Sequence, residues 1–166
     1  DAPIIDLDNT TAGNNFATSF TEDNPAIAIS NAATITDVDN ANMTSATITL
    51  TNNLDGITDE NIALTAAQIT AADGLGITVN VTTDNVISLS GSSSIANYQT
   101  VINQIVYNNI SSNPNTTNRI ISFIVNDGAN NSNTATTTIS ITADDDAPII
   151  DLDNTTAGNN FATSFT

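Results

Sequence analysis

The sequence contains no cysteine, no lysine, no histidine and no tryptophan, and a single arginine, Arg119, stands against 18 acidic residues. Each absence excludes something. Without cysteine there is no disulfide and no thiol chemistry. Without histidine or cysteine, neither a Ser–His nor a Cys–His nucleophile can be assembled. Without lysine, the Lys–Asn isopeptide cross-links of some surface fibres cannot form. A net charge of −17 leaves nothing to neutralise phosphates, which excludes nucleic acid and argues against an anionic membrane surface. No apolar run approaches the roughly 18 residues of a membrane span. The chain opens abruptly at Asp1 without a signal segment, so the expectation is a piece of a longer polypeptide whose targeting is encoded elsewhere.

What is present is a β-forming alphabet. With five Phe and two Tyr, the core must be mostly Ile, Val, Leu and Ala, with Thr on outer faces, which suits pleated sheets. Residues 1–21, DAPIIDLDNTTAGNNFATSFT, recur without change as residues 146–166. A period of 145 residues is too long for a solenoid turn, so each unit is expected to be a bead with its own core. The expected organisation is one repeat over 1–145 and the first strands of the next identical repeat over 146–166.

Alternating or short apolar runs predict strands at Ala2–Asp8, Phe16–Phe20, Ala26–Asp37, Ser45–Thr51, Ile62–Leu64, Ile77–Thr82, Val86–Ser90, Arg119–Asn126 and Thr134–Thr142. Turn signals fall at Asn53–Gly56, Asp73–Gly76 and Thr83–Asn85. Ile95, Tyr98, Val101, Ile102 and Ile105 recur at helical spacing after Ser94, a candidate cap, and predict a short helix followed by a strand near Ile105–Asn108. The expected fold is all-β, an antiparallel two-sheet sandwich with one short helical insert.

Acids concentrate in irregular segments: Glu22 and Asp23 in TEDNP, Asp37 and Asp39 in DVDN, Asp127 in NDG, and Asp144, Asp145 and Asp146 in ADDDAP at the repeat boundary. Hard divalent cations take such oxygens, and clustered like charges repel unless neutralised. The bland alternatives are solvated turn acids or a halophilic surface. EF-hand and glycine-rich nonapeptide calcium loops are absent. Paired carboxylates for glycoside hydrolysis lack any aromatic sugar platform, and the Thr-rich run near the C-terminal strand lacks the flat array that ice binding needs. Seven N-x-[ST] sequons occur, at Asn9, Asn42, Asn80, Asn109, Asn115, Asn130 and Asn154, and matter only where surface proteins are glycosylated.

Taken as a set, DVDN at 37–40, DDDAP at 144–148, the run TEDNPAIAI…ITDVDNANMTSATITLTN and the segments ISLSGSSSIANYQTVINQIVYNN and TNRIISFIVNDG resemble the cadherin-like tandem repeats of giant bacterial surface proteins and adhesins. The resemblance covers nearly the whole period. It implies an Ig/cadherin-like sandwich that shares calcium between neighbours, with Glu22 as the early acid, Asp37 and Asp39 as the loop pair, Asp144–Asp146 as the linker acids and Asp127 as an extra ligand. The linker departs from the animal cadherin form, and there is no DRE triplet. The function expected is a calcium-stiffened spacer, adhesin stalk or filament subunit outside the cell at its surface, not an enzyme. Its partners would be neighbouring identical repeats in tandem or in a filament. The rival expectation is a calcium-dependent adhesion or glycan-binding module whose partners are surface glycans or other cells.

Overall fold

A computed structural model describes residues 1–152, 157–158 and 160–164. The strands are β1 (Ile4–Asp6), β2 (Phe16–Thr21), β3 (Ile27–Ala28), β4 (Thr34–Thr36), β5 (Asn42–Leu50), β6 (Glu60–Ala63), β7 (Thr78–Val81), β8 (Val86–Ser94), β9 (Val106–Asn109), β10 (Arg119–Asn126) and β11 (Ala135–Thr142). A helix α1 (Ala66–Gly74) lies between β6 and β7, and α2 (Ile95–Ile102) between β8 and β9. Six strands form one sheet in the order β2-β11-β10-β5-β8-β7, while β3-β9-β6 and β1-β4 form smaller sheets.

Period-two patterning explains the large sheet. In β10, Arg119, Ile121, Phe123 and Val125 are buried while their neighbours are half-exposed, and β11 buries Ala135, Thr137, Ile139 and Ile141 in the same phase. A register shift between Met43 and Ser45 is a bulge that keeps both Met43 and Ala46 inward. The sheets share one core: Phe20 of β2 meets Tyr107 of β9 edge to face, with ring centroids 5.4 Å apart, an arrangement contributing about 0.5–1.5 kcal/mol beyond area burial.

Two expectations need correction. The sandwich is not wholly antiparallel, because β2 runs parallel to β11 from Phe16↔Thr137 to Thr21↔Thr142. The physical cause is connectivity: β1 first crosses to pair with β4, from Ile4↔Thr36 to Asp6↔Thr34, and the chain then turns back to reach the free edge of β11. Among the described residues there are also two helices rather than one. The predicted helix is α2, and Ser94 caps it by accepting from the Asn97 N–H. The second, α1, opens on a capping box in which Thr65 and Gln68 satisfy each other's backbone N–H groups. It buries only Ala72 fully, so no apolar stripe marked it.

One glycine is required by close approach. A Cβ on Gly91 would lie 2.2 Å from the Gly76 carbonyl oxygen, and Gly91 has φ of +124°, a backbone conformation open to glycine. The same crossing is pinned by Tyr98, whose hydroxyl donates to the Gly91 carbonyl at 2.8 Å and whose phenol is pushed up to about 12 by burial.

Candidate functional site

The expected acidic residues fall into two groups at opposite ends of β11. The first lies in the loops near its start. Asp37 Oδ1 accepts from the Asp39 and Asn40 N–H groups at 3.1 and 3.2 Å, folding DVDN into a tight turn. Asp127 Oδ1 accepts from the Ala129 and Asn130 N–H groups, both at 2.7 Å, in the loop between β10 and β11. Asn40 ties the two loops, donating from Nδ2 to Asp39 Oδ1 at 3.4 Å and to Asp127 Oδ2 at 3.2 Å. The start of the chain reaches the same group, with the Asp1 nitrogen 2.7 Å from Asp39 Oδ2.

The electrostatics follow from these bonds. The Asn130 and Ala129 N–H groups hold the Asp127 carboxyl below its ordinary 3.8. One oxygen, Asp37 Oδ2, is buried without a hydrogen-bond partner.

The second group lies at the end of β11. The Glu22 N–H donates to the Thr142 carbonyl at 2.9 Å, so the carboxylate follows directly from the parallel pairing. Glu22 is 4% exposed. Its Oε2 accepts from the Asp144 N–H at 2.8 Å, and its Oε1 is buried with no partner. The Asp145 N–H donates to Asp144 Oδ1 at 3.0 Å. Asp23, Asp144, Asp145 and Asp146 are exposed, Asp23 in a turn with φ of +62°. Among the described residues, no three acids gather closely enough to hold a metal ion. Each end supplies hard oxygen donors and one orphaned buried carboxylate oxygen, a donor set that fits a divalent cation in kind.

Sequence reasoning missed a third acidic group, which is internal. Arg119 is fully buried between two carboxylates: Nε pairs with Glu60 Oε1, and Nη2 lies 2.6 Å from Asp55 Oδ2. Its Nη1 donates to the Asn115 carbonyl at 2.9 Å and also to the Thr117 carbonyl. The Tyr107 hydroxyl donates to Glu60 Oε1 at 2.6 Å, and burial together with that bond pushes its phenol upward. Asn109 Nδ2 donates to Asp55 Oδ2 at 2.7 Å. Because Asn109 is buried, that sequon is closed to modification in the folded chain, while Asn154 lies outside the described residues. Beside the cluster, Leu54, Asp55, Asn113, Pro114, Asn115, Thr116 and Ala143 line an open hollow of about 500 Å³ with no aromatic wall. The signal for the cluster was present: the only base in the chain sits in phase with Ile121, Phe123 and Val125 on the inward face of β10.

No family model matches the chain, and no curated protein matches it. It is similar to a chain in a crystal structure of a complex between a CaDoc0917 variant and CaCohA2, at 13% identity and a TM-score of 0.44, with 83% of this chain and 99% of that one covered. A likeness this loose leaves the fold resting on the strand pairings themselves. No helix is long and apolar enough to cross a membrane among the described residues.

Proposed function

We propose that this chain is a structural repeat of a long extracellular surface protein or fibre, in which calcium held between consecutive units stiffens each joint. One observation carries the reading. Because residues 1–21 recur as 146–166, Asp146 takes in the next unit the place that Asp1 takes in this one, and the Asp1 nitrogen lies 2.7 Å from Asp39. The linker acids therefore lead straight into the loops of the following unit. Asp37, Asp39 and Asp127 of that unit would face Asp144–Asp146 of this one, with Glu22 at the near end of the linker.

Two half-sites that are incomplete within one chain thus form one acidic shell at the joint. Calcium would supply the positive charge that offsets repulsion among these carboxylates. Glu22 and Asp37 would contribute the oxygens left without donors inside the unit. The protein's part is to fix the donors before any ion arrives: Glu22 through the β2–β11 pairing, Asp37 and Asp127 through backbone N–H bonds. The resemblance to cadherin-like repeats supports the same assignment and the surface location.

Small-angle scattering of two covalently joined repeats tests the proposal. In millimolar calcium the particle should be longer and stiffer than in excess EGTA. Identical profiles in the two conditions would overturn the calcium-stiffened joint.

A further inference from the structure

The parallel pairing of β2 with β11 is the exception in the large sheet, whose other neighbours pair antiparallel. It runs over six residue pairs, from Phe16↔Thr137 to Thr21↔Thr142. Further bonds extend it at both ends. At one end the Thr136 N–H donates to Asn15 Oδ1 at 2.8 Å. At the other the Glu22 N–H donates to the Thr142 carbonyl, and the Asp144 N–H donates to Glu22 Oε2. Core packing backs the same strand, since Phe20 meets the Tyr107 ring.

The chain enters and leaves the unit at opposite ends of this pair. Asp1 lies with Asp39, which Asn40 links to Asp127 in the loop before β11. Ala143 follows Thr142 at the far end of that strand. A pull on the two connections therefore acts along the strands. β1 meets the load first, but over three pairs only; once it yields, the load passes through residues 7–15 to Phe16. The pull then draws β2 by its leading end toward Asp1 and draws β11 by its trailing end the other way. Two strands side by side are loaded in opposite directions along one axis, so their hydrogen bonds bear the load together and must fail together. Had β2 run antiparallel to β11, Phe16 would lie beside Thr142, and the same pull would peel the pairs apart one at a time.

We infer that the β2–β11 pair is a shear clamp, the element by which each unit carries tension along the chain. The inference rests on the end-to-end reading above, which supplies the tension, and adds the residues that bear it, 15–22 against 136–144. A parallel ladder is slightly less stable per residue than an antiparallel one, so the resistance comes from the direction of the load and not from stronger bonds. It is a property of the unfolding rate under force, which equilibrium stability does not measure. Glu22 has a place in it as well: its bonds to Thr142 and Asp144 close the ladder where the linker pulls.

The test stretches single molecules of the full chain in excess EGTA, so that calcium plays no part. In one geometry the chain is held by its two ends. In the other the C-terminal handle is kept and the second handle is moved to Asn24→Cys, an exposed turn position beside the end of β2 in a chain with no other cysteine. The second geometry pulls Thr21 away from Thr142 and peels the pair. End-to-end unfolding should need a several-fold higher force than peeling. A proline pair then reads the ladder itself. With the Glu22 N–H facing β11, those of Thr18 and Phe20 face it too, and that of Ala17 faces the free edge. Thr18→Pro removes a bond of the clamp and should lower the end-to-end force, whereas Ala17→Pro removes none and should stay near the parent. Equal forces in the two geometries would overturn the inference, and so would an Ala17→Pro loss as large as that of Thr18→Pro. The two pulling directions decide the matter even where Thr18→Pro fails to fold. Either failure leaves the calcium-dependent scattering of joined repeats untouched, so the two readings stand or fall separately.

Discussion

Glu22 and Asp144 are joined across 122 residues by a 2.8 Å bond from the Asp144 N–H to Glu22 Oε2, which fastens the start of the linker to the end of β2. This bond leaves Glu22 Oε1 buried and unpartnered. Glu22→Gln keeps an acceptor for the Asp144 N–H and removes the charge. In a two-repeat protein without calcium it should unfold nearly as the parent does, and in a calcium titration by calorimetry its apparent affinity should fall about tenfold or more.

The buried cluster around Arg119 makes a prediction independent of calcium. Truncating one partner of a buried ion pair leaves the other charge uncompensated, which costs about 3–5 kcal/mol. Arg119→Met strands both Glu60 and Asp55 and should lower stability by at least that much in denaturant unfolding. Glu60→Gln keeps the Arg119–Asp55 contact and an acceptor for the Tyr107 hydroxyl, so it should cost less.

Acid should weaken the fold through Asp127. Its carboxyl is held below 3.8 by the N–H groups of Asn130 and Ala129. The unfolded chain therefore takes up that proton first, and the stability from this group is present above about pH 4 and lost as pH falls through the folded value. Asp8, held low chiefly by the Thr10 hydroxyl, adds to the loss with the same sign. The unfolding midpoint in denaturant should drop between about pH 5 and pH 2, and Asp127→Asn should flatten that drop.

The two copies of the repeated segment allow one substitution to be made in two settings. Ile5→Ala removes a fully buried side chain and should cost about 2–5 kcal/mol. Ile150→Ala, in the same local sequence but exposed, should change the stability of this chain by less than about 0.5 kcal/mol. In a protein with a complete second repeat, Ile150→Ala should become as costly as Ile5→Ala. Denaturant unfolding of the four variants checks this.

Much of the architecture was legible because the strands are simple. Alternation in SATITLT and RIISFIVN places β5 and β10, and Ile95, Tyr98, Val101 and Ile102 mark α2. The α1 segment drew no expectation because Ala66–Gly74 has no apolar face; its signal was Thr65 with Gln68, a local cap rather than a periodicity. The parallel β2–β11 pairing was not legible, since period-two patterning says which face is buried and nothing about strand direction. The acidic residues of the candidate site were picked out by type and by their place in turns. Their division between the two ends of β11 depends on long-range pairings such as Thr21↔Thr142, which no local pattern contains. Arg119 was passed over because a lone base among 18 acids reads as surface, although its phase in β10 placed it inward.

Calorimetric unfolding of two joined repeats, with millimolar calcium and with excess EGTA, reads out whether calcium holds the joint. An ion bound by the folded joint alone stabilises it by mass action, so Tm should shift clearly upward with calcium, and Glu22→Gln and Asp39→Asn should each diminish that shift. The same Tm in calcium and in EGTA would mean that these acids are a solvated surface, and would contradict the claim that calcium holds the joint.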